Sequence, residues 1–438
     1  MAKKEKKKMG KIEIAFTIFS LIFLIGFSCF YGYRMFYYKN KLAPKNSDGK
    51  EIVLLSNKLK EKTVSTGDGL YDDNSIYVYK GKEVNNYIKL SNMLFRIVKI
   101  NKDNTIEIVL DQEINKLMYD QEKLDYKESD LNKYLNDIFY NNIKNDSLIK
   151  GTYCTDKITD ANKITCNEIE TDYVKLLSIS DYLNSKNNNE SYLNNNQKTW
   201  LINNNEENIW IVNNGELSLS KPSELQKVKP VLTLDNLTEF NEGNGSIENP
   251  YTIKKDESYF ASYIKIDNDL YRVSNQKEKV FKLQAEYIYN EGNTKYHFSN
   301  KINIYSIEDG IGKYLNETIY NELSYKDILI DCETYVGNYT SYEEVMKNKV
   351  TNKIGIQSII EPIFNEEKNN YYFSTPFENE NVYIYNEEIY PVKPNIIRNI
   401  NLSICVDKNK IKDGKGTKDN PYIIESEVQE WEKQQFYY

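Results

Sequence analysis

Apolar and polar positions alternate or cluster in short runs along most of the chain, and two stretches break that pattern. The first is Ile14 to Tyr33, twenty residues without a charge. That is about the length a helix needs to cross a ~30 Å hydrocarbon layer. The second is the linker from Arg34 to Thr66, where Pro44, Ser47, Asp48 and Gly49 interrupt structure and Ile52 to Lys62 has the spacing of a short amphipathic helix. We expect a spacer there, with a partner helix as the alternative.

Beyond it the period is two. Ile76 to Lys80, Tyr87 to Leu90, Leu94 to Ile100 and Thr105 to Leu110 read as strands, the last pair joined by the polar turn Lys102-Asp103-Asn104 into a hairpin. At Ser129 the period changes. Leu131, Tyr134, Leu135, Ile138 and Phe139 fall on one helical stripe behind a serine able to cap it. Val174 to Leu177, Trp200 to Leu201, Ile209 to Val212 and Val228 to Leu234 are further strands, and Ser180 is expected to cap a short helix through Leu183.

These blocks then return in order. Tyr87 to Arg96 reappears as Tyr263 to Arg272, with Tyr and Arg at both ends. Tyr134 and Asn136 reappear as Tyr314 and Asn316. Gly243, Gly245, Asn249, Pro250 and Tyr251 reappear as Gly414, Gly416, Asn420, Pro421 and Tyr422. Collinearity of three such blocks predicts two diverged copies of one α+β domain with antiparallel sheets, residues 67–253 and 254–424, followed by a tail over 425–438. The shared residues are expected to be structural: the glycines for left-handed turns, Asn-Pro to end a strand, and Arg96 and Arg272 for internal ion pairs.

Charge orients the chain. Six lysines against Glu5 and Glu13 give residues 1–13 a balance of +4, while the whole carries -8 and the remainder therefore -12. The positive-inside rule keeps that basic tail in the cytoplasm and sends the acidic bulk outside, with Phe30, Tyr31, Tyr33, Phe36, Tyr37 and Tyr38 at the outer interface. An uncleaved single-pass anchor is expected at the cell membrane. The alternatives are cleavage, for which Gly26-Phe27-Ser28 is a poor site, and lipidation at Cys29, which sits inside the apolar run. An acidic surface without a basic stripe argues against nucleic acid.

Several kinds of chemistry are excluded or weakened by composition. With one histidine, His297, multi-histidine metal sites are impossible. Asp68, Asp72, Asp73 and Asn74, with Asp267 and Asp269, offer oxygen to calcium but lack ordered loop spacing, and solvated turns are the expectation. No catalytic constellation, cofactor site or metal site is assigned. An exterior location favours a Cys154 to Cys166 disulfide; Cys332 and Cys405 either pair or stay as buried thiols.

The run Gly67 to Tyr71, the block Asn86 to Val98, Tyr153-Cys154, Leu176 to Asp181, Trp200 and Trp210, Val228 to Val231 and the Asn-Pro-Tyr ending together resemble a family. It comprises surface proteins of low-GC Firmicutes and Mollicute-like bacteria, whose domains look like degenerate relatives of the formylglycine-generating-enzyme and C-type-lectin-like folds. The likeness covers most of 67–253 and is weaker over 254–424, where Tyr372 and Tyr383 take the places of the tryptophans. It implies helices beside a twisted antiparallel sheet and no established activity. The late cysteine pair of the enzyme branch and the Glu-Pro-Asn or Gln-Pro-Asp calcium loop of the lectin branch are both missing. The expected function is a noncatalytic binding or adhesion module, its tyrosine-rich strands offered to a glycan or protein. A self-associating envelope component and a carboxylate-dependent hydrolase are the alternatives.

Overall fold

Alternation of side chains across a pleat lets a half-buried strand carry one apolar face, and the hairpins expected from that pattern form the centre of the structure. The computed structural model describes Ser20 and residues 52–194, 197–287, 297–299, 302–364 and 370–425. The anchor expected over 14–33 lies, Ser20 apart, outside the described residues, as do the basic tail and residues 426–438. Among the described residues no helix is long and apolar enough to cross a membrane.

The protein is a mixed α+β structure with mostly antiparallel sheets and few helices. In the first copy the central sheet runs, in spatial order, Gly69–Asp73, Ile76–Lys80, Met93–Ile100, Ile106–Leu110, Val231–Leu234 and Val174–Lys175. Tyr87–Leu90 pairs with Met93–Ile100, and Leu148–Ile149 with Val231–Leu234. The second copy repeats the middle of that plan, without counterparts among the described residues to Gly69–Asp73 and Ile76–Lys80: Leu329–Ile330, Leu402–Asp407, Val280–Ala285, Asp269–Gln276, Tyr263–Ile266 and Tyr422–Ile424, with Ile354–Ile356 also on Leu402–Asp407. Register is alike in the two. Tyr87 stands opposite Arg96 as Tyr263 stands opposite Arg272, and Tyr251 bridges Ile88 in parallel as Tyr422 does Ile264.

Each copy lays its longest helix beside its sheet. In the first, Ser129 accepts from the Asn132 N–H and starts a helix through Ile143, as the stripe required. Its middle turn, Tyr134–Phe139, is wound as a π-helix, and so is Leu315–Ile319 of the second copy. The short helix Ile179–Asn184 is capped by Ser178, two residues earlier than expected. Ser178 has Asp181 at the third helical position, so side chains and backbone bond reciprocally, which Ser180 has no partner to do.

Leu55–Lys60, expected as part of a spacer, is a helix whose Leu55 and Leu59 are fully buried in the first copy's core. Its Leu55 N–H donates to the Thr238 carbonyl at 2.9 Å. The described residues from Leu54 onward accordingly form one compact unit. Side chains from the second copy, among them Tyr339, Val345, Ile359, Ile360 and Phe373, complete the first copy's hydrophobic cluster. Polar pins join the copies as well: Asn115 Nδ2 donates to the carbonyls of Ile359 and Glu361, and the Met118 N–H donates to the Tyr339 hydroxyl.

Tyrosines dominate these interiors. Tyr119, Tyr126, Tyr182 and Tyr305 are almost wholly buried, and each hydroxyl donates to a backbone carbonyl, of Ile202, Val174, Gly215 and Ile354 respectively. A strand-forming ring with one satisfiable polar atom is a good core residue. The rings expected to face a ligand are therefore, for the most part, turned inward.

Candidate functional site

A second, smaller sheet lies in each copy. The first copy's runs Glu216–Ser220, Ile209–Asn213, Thr199–Asn204, Gln226–Val228 and Asn115–Leu117; the second copy's runs Tyr371–Phe377, Asn381–Asn386 and Glu388–Val392. Both carry a register shift near the same point, after Trp200 and after Tyr372. Trp200 and Tyr372 are both buried.

Where these sheets approach one another the protein opens a cleft of about 820 Å³. Its first-copy wall is made by Lys116, Gln197, Lys198, Asn213, Asn214, Glu224, Leu225, Gln226 and Lys227; its second-copy wall by Tyr385, Glu387 and Glu388. Lys116, itself buried, reaches across to form an ion pair with Glu388. Lys227 lies 3.9 Å from Glu113. Glu224 Oε2 accepts from the Ser220 hydroxyl at 2.8 Å and from Gln226 Nε2 at 3.1 Å, so that corner is held by its own hydrogen bonds. Next in sequence to this wall, Lys229 is buried, and burial draws its amine below the usual lysine range against the pull of Glu113 and Asp111. The cleft thus offers amide, ammonium and carboxylate groups side by side, a lining able to donate and accept hydrogen bonds along a polar ligand.

None of the repeat-signature residues lines this cleft. Asn136 and Asn316 clamp the helix of each copy to a strand. Arg96 donates to Asn86 Oδ1 at 2.5 Å and to the Val84 carbonyl at 3.1 Å, lies 3.7 Å from Asp111, and stacks 3.8 Å from the Tyr87 ring centre. Arg272 departs from the expected ion pair: its polar partners are the carbonyls of Ala261 and Phe364, and its guanidinium sits over the Tyr263 and Phe364 rings. Tyr134 is buried in the helix stripe, while Tyr314 is half-buried against the second core.

The closing turns match as well. Gly243 and Gly414 have φ of 104° and 117°, and a Cβ on either would meet the carbonyl oxygen of Pro250 or Pro421. The carbonyls of Gly245 and Gly416 each accept from the N–H of the tyrosine that opens the repeated hairpin, Tyr87 or Tyr263, at 2.9 Å. The carbonyls of Asn249 and Asn420 close these turns.

The aspartates weighed for calcium lie in turns or at the strand ends beside them. Asp68 accepts from the backbone N–H groups of Lys82 and Glu83, which hold its carboxyl below the usual range; Asp72 accepts from the Ser75 N–H; Asp267 and Asp269 accept from Ser324 and Tyr325. Among the described residues no group of three or more potential metal ligands converges. His297 is exposed and bonds the Asn395 carbonyl. Cys154–Cys166 and Cys332–Cys405 are both disulfides, with Cα separations of 5.4 and 5.3 Å, which decides the second pair in favour of bonding. The chain matches no protein-family model, no curated protein and no solved structure.

The cleft residues gave no sequence signal because they come from segments scattered between Lys116 and Glu388, and no two of those segments share a motif.

Proposed function

We propose that the chain is a single-pass, membrane-anchored protein of the cell surface whose outer part is a noncatalytic binding module, with the cleft between the copies as its ligand site. The observation that carries this reading is the cleft itself: about 820 Å³, walled by both copies and lined by amides, lysines and glutamates. Such a lining suits an extended polar ligand, a glycan or a protein segment, better than an apolar small molecule. The two disulfides fit an oxidising exterior, in keeping with the apolar run at 14–33 and the lysines before it. The likeness to C-type-lectin-like surface domains belongs to the same proposal. It rests on the motifs of residues 67–253 and on the arrangement of helices beside an antiparallel sheet.

The test combines topology and binding. Protease shaving of intact cells should remove the acidic portion, and a glycan and cell-surface binding screen of the protein should find a ligand whose retention falls at least tenfold in Lys198→Glu/Asn214→Arg. Recovery of an intact, protease-resistant chain from the cytosol would overturn the location. A ligand bound equally well by the double variant would overturn the cleft.

A further inference from the structure

Away from the cleft, the first copy buries a cluster of four charged side chains between its central sheet and the helix Ile179–Asn184. Lys99 and Glu107 come from neighbouring strands and stand directly opposite one another in register. Asp181 comes from the helix and Lys175 from the strand before it. Lys99 Nζ lies 2.7 Å from Asp181 Oδ1 and 3.4 Å from Glu107 Oε2. Lys175 Nζ lies 2.9 Å from Glu107 Oε2 and also donates to the Thr152 carbonyl. The side chains of Lys99, Asp181 and Glu107 are 22%, 8% and 4% exposed, so water competes weakly for any of them.

We propose that the Lys99 amine and the Asp181 carboxyl condense to an intramolecular isopeptide bond, with Glu107 as the proton acceptor. The geometry supplies each part of that reaction. The nucleophilic nitrogen is held in contact with the carboxyl it must attack, which replaces a bimolecular encounter with a fixed approach. Asp181 Oδ2 already accepts from the Ser178 N–H at 3.1 Å and from its hydroxyl at 2.7 Å. Those two donors face the oxygen on which negative charge develops as the tetrahedral intermediate forms. Oδ1, the oxygen that leaves, is the one facing Lys99. Glu107 is near enough to the amine to take its proton, and Lys175 holds the Glu107 carboxylate in place from its other side.

The step balances without any co-reactant. The ammonium of Lys99 and the carboxylate of Asp181 become an amide between Nζ and Cγ; one oxygen and two of the three Nζ protons depart as water, one proton passing by way of Glu107. Burial opposes charge on both groups, and their mutual attraction overcomes it, so the pair is ionised beforehand. Condensation removes both buried charges at once, which favours the product inside the protein more than it would in water.

The second copy supplies an internal control. Its equivalent turn, Ser358 to Glu361, presents Glu361 to Lys282, which occupies the register position of Glu107, while Asn275 stands in the place of Lys99. Lys282 and Glu361 lie 2.5 Å apart, and among the described residues Lys282 forms no ion pair with a second carboxylate. Without a second carboxylate to take the proton, that pair does not condense.

The test is mass spectrometry of the full chain, purified under denaturing and reducing conditions. The wild-type protein should fall short of its sequence mass by one water, and proteolysis should yield a branched peptide joining the Lys99 and Asp181 segments, with no such branch between Lys282 and Glu361. Lys99→Arg, which retains a cation opposite Asp181 but cannot condense, should show the full mass. Glu107→Gln should show the full mass in most molecules while keeping the wild-type circular dichroism spectrum. A wild-type chain of full sequence mass, or a water loss mapped elsewhere, would overturn the proposal; undiminished branching in Glu107→Gln would overturn the role of Glu107.

Discussion

Asn136 holds both backbone polar groups of Val174. Its Oδ1 accepts from the Val174 N–H and its Nδ2 donates to the Val174 carbonyl, each at 3.0 Å. Asn316 grips Ile354 in the same way, at 3.2 and 2.8 Å. In both copies the asparagine lies on the π-wound turn. Val174 and Ile354 are fully buried, so these groups have no water to turn to.

Asn136→Ala should therefore destabilise the protein by about 1–3 kcal/mol, the cost of leaving the buried Val174 N–H unmatched while the Val174 carbonyl keeps the Tyr126 hydroxyl. Asn316→Ala should cost a similar amount. Urea unfolding of the two variants measures this, and a loss below 1 kcal/mol in both would contradict the clamp.

Arg96 combines planar hydrogen bonding with stacking on Tyr87, and lysine reproduces neither. Arg96→Lys is expected to lose about 2 kcal/mol from the stacked and hydrogen-bonded arrangement. Arg272→Lys has no ion pair to break among the described residues and should lose less. The comparison needs both variants in one denaturation series.

The two disulfides should contribute unequally. Cys332 and Cys405 are 73 residues apart and Cys154 and Cys166 only 12. Loop-closure entropy then assigns about 4 kcal/mol to the first and about 3 kcal/mol to the second. The first copy has Gly151 and Thr233 where the second has Cys332 and Cys405: Ile149 pairs with Thr233 as Ile330 pairs with Cys405. A Cβ built on Gly151 would lie 3.2 Å from that of Thr233, close enough for a bridge after a slight adjustment. Gly151→Cys/Thr233→Cys should form a third disulfide on purification in air, visible as the loss of two free thiols.

Alkali should unfold the protein through its tyrosines. Burial pushes the Tyr182 and Tyr372 hydroxyls up to about 12, from an unfolded value of 10.0. A raised folded pKa gives stability that is complete below the unfolded value and is lost as pH rises through the folded one. Stability should thus fall between about pH 10 and 12, with a cooperative rise in tyrosinate absorbance that coincides with loss of the circular dichroism signal. Independent titration of all tyrosines near 10 would contradict the buried placement.

Much of the fold was legible locally. Alternation placed Tyr87–Leu90 as a strand to the residue, and a 3.6-residue stripe behind Ser129 placed the helix that follows. The helix is capped at Ser178 and not at Ser180 because, of the two serines, only Ser178 has a carboxylate three residues on to complete the capping box. The direction of the tyrosines was also beyond reach. Strand propensity is the same for a ring facing the core and a ring facing water.

By itself the amino-acid sequence determined the periodic elements, the order of the two copies and the residues that pin each copy's turn, helix and first hairpin, because each depends on side chains a few positions apart. Tertiary structure decided everything that joins distant segments. Ile106–Leu110 meets Val231–Leu234 across more than a hundred residues, Lys99 meets Asp181, and Lys116 meets Glu388 from the other copy. Those meetings are chosen by which buried faces fit and which charges find partners once the chain has closed on itself. That is a property of the packed whole, written in no single stretch of it.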